Sequence, residues 1–270
     1  LYDRDRQPTI DWLNQKFKNR QDISQSNVAA LNAGHAYGET MEISGERSAY
    51  TVSEADIPPG LYRTVTGIEA LSWGLIAASQ KTGLRMVYAG YPITPASAIL
   101  HTLSQLKHFN VITFQAEDEI AAVCAALGGS YAGALGVTAS SGPGIALKTE
   151  AIGLAVSVEL PLIVLNVQRA GPSTGLPTKT EQSDLYQAVF GRNADSPLAV
   201  IAARSPGDCF NTAIEAARIA TKYMTPVMLL ADGYMANASE PWLIPDINNM
   251  EDMKVEFHSE KQAFHPFQRN

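Results

Sequence analysis

Four stretches of this chain carry groups suited to chemistry, and each follows a short apolar run. After Met86-Val87-Tyr88-Ala89 comes Gly90-Tyr91-Pro92-Ile93-Thr94-Pro95-Ala96-Ser97. Two prolines fix φ on either side of Thr94, and each restricts the residue before it. The threonine hydroxyl is therefore held on a stiff turn. The plainer role for the same turn is helix punctuation, with Thr94 or Ser97 as the N-cap. After Val111–Phe114 comes Gln115-Ala116-Glu117-Asp118-Glu119, three carboxylates at a helix start. Acids there favour the helix dipole, which explains one or two of them. After Ala134–Ala139 comes Ser140-Ser141-Gly142-Pro143-Gly144, where two glycines let backbone or ligand approach closely and Pro143 opens a helix. The start of that helix is suited to an anion or a ring substituent, yet the run lacks both the G-x-G-x-x-G of dinucleotide binders and the G-K-[ST] of a P-loop. The last stretch, Gln168 to Asp184, is a long Gly/Pro-punctuated polar loop of the kind usually kept for function. Arg169 sits at its start, where a guanidinium can grip a carboxylate through paired hydrogen bonds or close an ion pair with one of the domain's own acids.

The elements that must position these groups follow from hydrophobic patterning. Apolar runs without polar alternation occur at Met86–Ala89, Val111–Phe114, Ala134–Ala139, Leu160–Val167, Leu198–Ala202 and Val227–Ala231. Helical stretches lie between them, at about Ala96–Leu106, Asp118–Tyr131, Gly144–Val156, Gln182–Val189 and Gly207–Tyr223, with an Ala-rich helix at Glu69–Gln80 ahead of them. Such strands, separated by helices, predict an α/β fold: a doubly wound, mainly parallel sheet with helices on both faces. In that architecture ligands bind beyond the carboxyl ends of the strands, where all four stretches fall.

Residues 1–60 are polar, with two possible short helices at Asp11–Phe17 and Asn27–Ala33 and a strand pattern at Tyr50-Thr51-Val52. Ile57-Pro58-Pro59-Gly60 is a plausible boundary. The expected organisation is an extension over 1–60, the α/β domain over 61–245 and a polar connection over 246–270. The formal charge of −7 and the lack of a basic cluster argue against nucleic acid. The 46% apolar and 17% charged residues are ordinary for a globular domain, and no run is long enough to span a bilayer. The two cysteines, Cys124 and Cys209, cannot hold an iron–sulfur cluster alone and fit buried thiols in a reducing compartment.

The spacing from Glu117, through an Ala-rich helix ending near Gly129–Ala132, to Ser141-Gly142-Pro143-Gly144 resembles the pyrimidine-binding domain of thiamine-diphosphate enzymes. Tyr91-Pro92-Ile93-Thr94-Pro95, the segment Arg169 to Thr178, and the later Gln182 and Asp184 narrow the resemblance. Together they are similar to the alpha subunit of 2-oxoacid:ferredoxin oxidoreductases, most like the 2-oxoglutarate type, over about residues 60–240.

The resemblance implies thiamine diphosphate as cofactor and places the family's glutamate on Glu117, with Glu119 in reserve. That carboxyl engages N1′ of the aminopyrimidine and needs a raised pKa, expected from partial burial near Phe114 and Ile120–Val123. Tyr91, Pro92, Ser141, Gly142 and Pro143 are the other expected cofactor contacts. Thr94 faces cofactor and substrate, and Arg169 holds the substrate 1-carboxylate. Lys179 and Arg192 are alternatives for a distal carboxylate, and the choice between them stays open. The implied reaction is oxidative decarboxylation of a 2-oxoacid, with electrons passed one at a time to ferredoxin and the acyl group to coenzyme A. The motif for diphosphate and Mg²⁺ and the cysteines for clusters are missing, so no metal is expected on this chain; a beta subunit should carry them. The isolated chain is then expected to bind cofactor poorly. By the same resemblance, a gamma-type domain precedes residue 1, a further domain follows residue 270, and the assembly is a higher-order cytoplasmic oligomer. Other expectations are the same chemistry on pyruvate, branched-chain 2-oxoacids or indolepyruvate, or a non-catalytic scaffold with this fold.

Overall fold

The computed structural model describes residues 4–41, 52–259 and 265. Of the strand pattern expected at Tyr50-Thr51-Val52, the first two residues lie outside the described residues. The chain divides into two compact units, Leu1–Pro59 and Gly60–Asn270. The first is a pair of helices, α1 (Gln7–Lys16) and α2 (Gln21–Thr40), both longer than the sequence suggested. Leu13 is buried in this unit, and Ser24 Oγ donates to Asn14 Oδ1 at 2.8 Å to pin one helix to the other.

The second unit is a doubly wound α/β domain. In chain order its elements are β1 (Tyr62–Thr66), α3 (Gly67–Thr82), β2 (Met86–Gly90), α4 (Ser97–Ser104), β3 (Val111–Gln115), α5 (Glu119–Tyr131), β4 (Leu135–Ser140), α6 (Gly142–Leu147), α7 (Thr149–Ser157), β5 (Leu162–Gln168), α8 (Leu185–Phe190), β6 (Ala199–Ala202), α9 (Asp208–Tyr223), β7 (Pro226–Asp232), α10 (Gly233–Asn237) and β8 (Ser239–Leu243). Six strands form one all-parallel sheet in the order β3-β2-β4-β5-β7-β6. Every residue of β4, β5 and β7 is buried, which is why their sequences are apolar without alternation. One face packs on α3, α4 and α9, and the other on α5 and α7. The α3 helix starts at a capping box, in which Thr66 and Glu69 each bond the other's backbone N–H.

Strands β1 and β8 form a separate antiparallel ribbon that the patterning did not reveal. They are short, half-exposed and interrupted by Pro241, so neither shows a continuous apolar run. The segment past residue 245, expected as a polar connection, packs on the domain: Met250, Met253 and Val255 lie against the core, and Val255 N–H donates to Thr82 O at 3.0 Å. The helix expected over Gly144–Val156 is two helices, α6 and α7, that meet at Lys148.

Candidate active site

Sheet order places the crevice. From β2 the chain crosses to β3 on one side and then to β4 on the other, so the order reverses between β2 and β4. Beyond the carboxyl ends of strands at such a switch point, the flanking helices diverge and leave room for a ligand. The Tyr91–Ser97 turn follows β2, and Ser141–Gly144 follows β4. The acidic turn of Glu117 and the Arg169 loop follow β3 and β5, the strands next outward.

Hydrogen bonds tie these turns together. The Tyr91 hydroxyl lies 2.8 Å from Ser140 Oγ, and burial pushes its pKa up to about 12, so it remains a neutral phenol. Ser141 Oγ donates to Val167 O at 2.7 Å and reaches Thr94 O at 3.3 Å. Arg169, 8% exposed, donates from Nη1 to Thr94 O at 2.7 Å and from Nη2 to Thr174 O at 3.2 Å. Its buried Nε–H has no partner among the described residues. Ser97 Oγ accepts from Ile93 N–H at 2.8 Å and donates to Ile93 O at 2.9 Å, closing the turn from within. The structure thus brings Tyr91, Pro92, Thr94, Ser141, Gly142, Pro143 and Arg169 to one edge, with Thr94 and Pro92 exposed there.

Several roles differ from those expected. The N-cap of α4 is Ala96, so Thr94 is not helix punctuation and its hydroxyl is left at the surface. Ser141 spends its hydroxyl on main-chain carbonyls and so joins the loops. The six-residue α6 sums few peptide dipoles at its start, and its Gly144 answers to internal packing. A Cβ there would collide with Tyr91 Oη and Ser140 Oγ. Among the described residues Arg169 makes no ion pair, and it bonds carbonyls instead. Gly175 adopts φ of 46°, a left-handed conformation that favours glycine, while a Cβ would strike Ala170 O. That turn closes the Ala170–Leu176 bridge beneath the guanidinium's second carbonyl.

Glu117 was expected to be partly buried and is exposed, as are Phe114 and Ile120 beside it. The reason is position: β3 is an edge strand of the sheet, and Phe114, Glu117 and Ile120 are exposed at that end among the described residues. The neighbouring acids are engaged or half-buried, since Asp118 caps α5 by accepting from Ala121 N–H at 2.8 Å and Glu119 lies in the first turn. Asp184 accepts from Asn166 Nδ2 at 3.0 Å, and Gln182 donates to the buried Asp232 carboxylate, so both fasten the long loop to β5 and β7.

The two alternatives for a distal cation separate. Lys179 is exposed on the loop. Arg192 donates Nη1 to Ala188 O at 2.8 Å, Nη2 to Val189 O at 2.9 Å and Nε to Ser196 O at 3.1 Å. It closes the C-terminus of α8, where free carbonyls favour a cation, and all three guanidinium nitrogens are spent there. Replacing Arg192 by Ala should cost about 1–2 kcal/mol in chemical denaturation, with the slope unchanged.

Patterning missed Lys148. It is fully buried, with Nζ donating to Glu119 O at 3.0 Å and to Thr138 Oγ1 at 2.9 Å, and lying 5.4 Å from the centroid of the Tyr91 ring. Burial pulls its pKa down to about 7, opposed by Glu119, Cys124 and Asp118. One signal was available: Lys148 is the first charged residue after Glu119. Among the described residues no cluster of three or more His, Cys, Asp or Glu is placed to hold a metal, and no helix is long and apolar enough to cross a membrane.

Comparison with known proteins bears on the same edge. A family model described as pyruvate flavodoxin/ferredoxin oxidoreductase, thiamine diP-binding, matches residues 78–269. The chain is 55% identical over 270 residues to 2-oxoglutarate oxidoreductase subunit KorA of Mycobacterium tuberculosis, covering 100% of this chain and 41% of that protein. It is 42% identical over 165 residues to 2-oxoglutarate synthase subunit KorA of Archaeoglobus fulgidus, covering 61% of this chain and 48% of that one. A solved 2-oxoglutarate:ferredoxin oxidoreductase from Magnetococcus marinus, with 2-oxoglutarate, coenzyme A and succinyl-CoA bound, superposes with a TM-score of 0.85 at 31% identity. The match covers 99% of this chain and 46% of that one. The chain therefore spans about half the length of these relatives.

Proposed function

We propose, from the premise that the chain belongs to the pyruvate flavodoxin/ferredoxin oxidoreductase thiamine-diphosphate-binding family, that it supplies the ring-binding half of a thiamine-diphosphate site in an enzyme that oxidatively decarboxylates 2-oxoglutarate to an acyl-CoA. What supports this reading is that the turns carrying Tyr91 and Thr94, Glu117, and Arg169 all follow strands of one parallel sheet at the same edge, with Glu117 exposed there. The residues fit the cofactor. Glu117 is exposed at the start of the turn after β3, Tyr91 is buried after β2, and Arg169 Nε is a buried donor without an acceptor among the described residues. When bound, thiamine diphosphate supplies the carbon nucleophile and the electron sink for the decarboxylation.

Each residue of this chain then has a task. Glu117 holds a proton at the ring's N1′, and another chain closes over the exposed Phe114 and Ile120 beside it. Tyr91, Pro92 and the Ser141–Pro143 loop wall the ring. The Thr94 hydroxyl, held by the Arg169 and Ser141 bonds to its carbonyl, meets the 2-oxo group. Arg169 retains donors for the 1-carboxylate beyond those spent on main-chain oxygens. Lys179 is the candidate for the distal carboxylate. The facing half, with diphosphate, Mg²⁺ and iron–sulfur cluster, lies on a partner subunit, with ferredoxin and coenzyme A as co-substrates and the cytoplasm as the site of action.

The substrate reading is tested by assembling the full-length subunits and measuring dye or ferredoxin reduction with 2-oxoglutarate, pyruvate, branched-chain 2-oxoacids and indolepyruvate. The dicarboxylate should lead in kcat/KM by about tenfold or more, the worth of one charge-assisted contact. A preference for monocarboxylic acids contradicts the assignment. In the same assay Lys179→Ala should raise KM for 2-oxoglutarate by about tenfold and leave that for pyruvate unchanged.

A further inference from the structure

We propose that Lys148 is a positioning residue of this site, holding the acidic turn Glu117–Glu119 at a fixed spacing from the Ser141–Gly144 loop. The proposal rests on the cofactor reading above and assigns a task to a residue that reading does not use. The main chain of Lys148 belongs to the loop side, where its N–H donates to Gly144 O at 3.1 Å at the end of α6. Its side chain belongs to the other side, where Nζ donates to Glu119 O, two residues beyond Glu117, and to Thr138 Oγ1 on β4. The ammonium also lies within cation–π range of Tyr91, whose hydroxyl meets Ser140. One residue thus touches the end of α6, the start of α5, the middle of β4 and the ring after β2.

A buried cation without a carboxylate bonded to it is costly. The charged or titratable groups facing it are Glu119, Asp118 and Cys124 from the β3–α5 side and Tyr91 from the β2 side. None of the three acids is within ion-pair distance among the described residues, so neutral oxygens and a ring satisfy the ammonium. Because burial lowers its folded pKa, the unfolded chain binds the extra proton between about pH 7 and the ordinary lysine value. The penalty is present in full below about pH 7 and is relieved as pH rises through that window. An apolar side chain of the same length is therefore expected to leave the fold as stable or more so at neutral pH. Stability does not account for an amine here, whereas fixing the geometry of a reacting group does, because small misplacements of such groups are expensive in rate.

The test uses the reconstituted full-length complex with Lys148→Met and Lys148→Arg. The Met variant should keep its melting temperature at pH 7 and keep cofactor and 2-oxoacid affinities within about threefold, while kcat falls about ten- to hundredfold. The near-ultraviolet circular dichroism of the bound ring should change, and the Arg variant should recover part of kcat. In the complex without cofactor, amide exchange at Ala121 and Ala122, which bond back to Asp118, should quicken in the Met variant. Wild-type kcat and unchanged exchange in Lys148→Met overturn the proposal. If that variant does not fold, Thr138→Val removes one acceptor at constant shape and should lower kcat with the same unchanged affinities; wild-type kcat there overturns it equally. Glu117→Gln, run alongside, separates the two readings. A dead Glu117 variant beside a wild-type-like Lys148 variant rejects only the role of Lys148, and a fully active Glu117 variant rejects the cofactor reading itself.

Discussion

In the assembled enzyme, replacing Glu117 by Gln lowers turnover by about 10²–10⁴, the usual worth of a positioned acid–base group, and leaves the melting temperature within a degree or two. The amide keeps the size and one hydrogen-bond acceptor, but it cannot take or give a proton at N1′. The exposed position makes this a clean experiment, because the Glu117 side chain makes no hydrogen bond or ion pair among the described residues and substitutions at such sites change stability little. Steady-state assays with saturating cofactor measure the loss, and a denaturation curve measures its independence from folding. Glu119→Gln is the control. Glu119 contributes its carbonyl to the Lys148 bridge, and the main chain is unaltered by that change. A large loss in Glu119→Gln with normal turnover in Glu117→Gln moves the proton-holding role two residues along.

The second large effect is expected at Arg169. Its guanidinium spans two carbonyls, Thr94 O and Thr174 O, from a buried position, and this fixes the Thr94 turn against the long loop. Lysine carries the charge but has no planar fork to reach both oxygens. Arg169→Lys should therefore lower kcat/KM for the 2-oxoacid by about 10²–10³, with both parameters moving, since substrate grip and Thr94 placement fail together. A pure rise in KM would show that Arg169 only binds carboxylate. A pure loss of stability with normal kinetics would reduce it to a loop tie.

The fold was legible because the sheet is parallel and covered on both faces. Strands such as Leu162–Gln168 and Pro226–Asp232 have no exposed side to mark with polar residues, so they stand out as continuous apolar text. The β1–β8 ribbon was not legible, because its strands are half-exposed and joined only through pairing at long range. The candidate turns were legible as turns because they follow strands directly, as those of Thr94, Glu117 and Arg169 do. What the residue types did not disclose is where each polar group is spent. Arg192 looked like a free cation and closes a helix with all three guanidinium nitrogens. Ser141 looked like a ligand contact and bonds the main chain of two neighbouring turns. Lys148 drew no attention within the helix expected over Gly144–Val156, and it is fully buried at the break between α6 and α7. The burial of Glu117 was misjudged for a physical reason of another kind. Apolar neighbours such as Phe114 and Ile120 imply a cover, and they leave open which chain provides it.

The central claim is that Glu117 of this chain activates the ring of a cofactor held across two chains. Exchange of the cofactor's C2 proton for deuterium, followed by nuclear magnetic resonance after acid quench, measures that activation in the assembled enzyme before any substrate is added. Wild-type complex should exchange fast, and Glu117→Gln should exchange slower by about 10² or more with the cofactor still bound. Equal exchange rates in the two, at equal cofactor occupancy, would contradict the account.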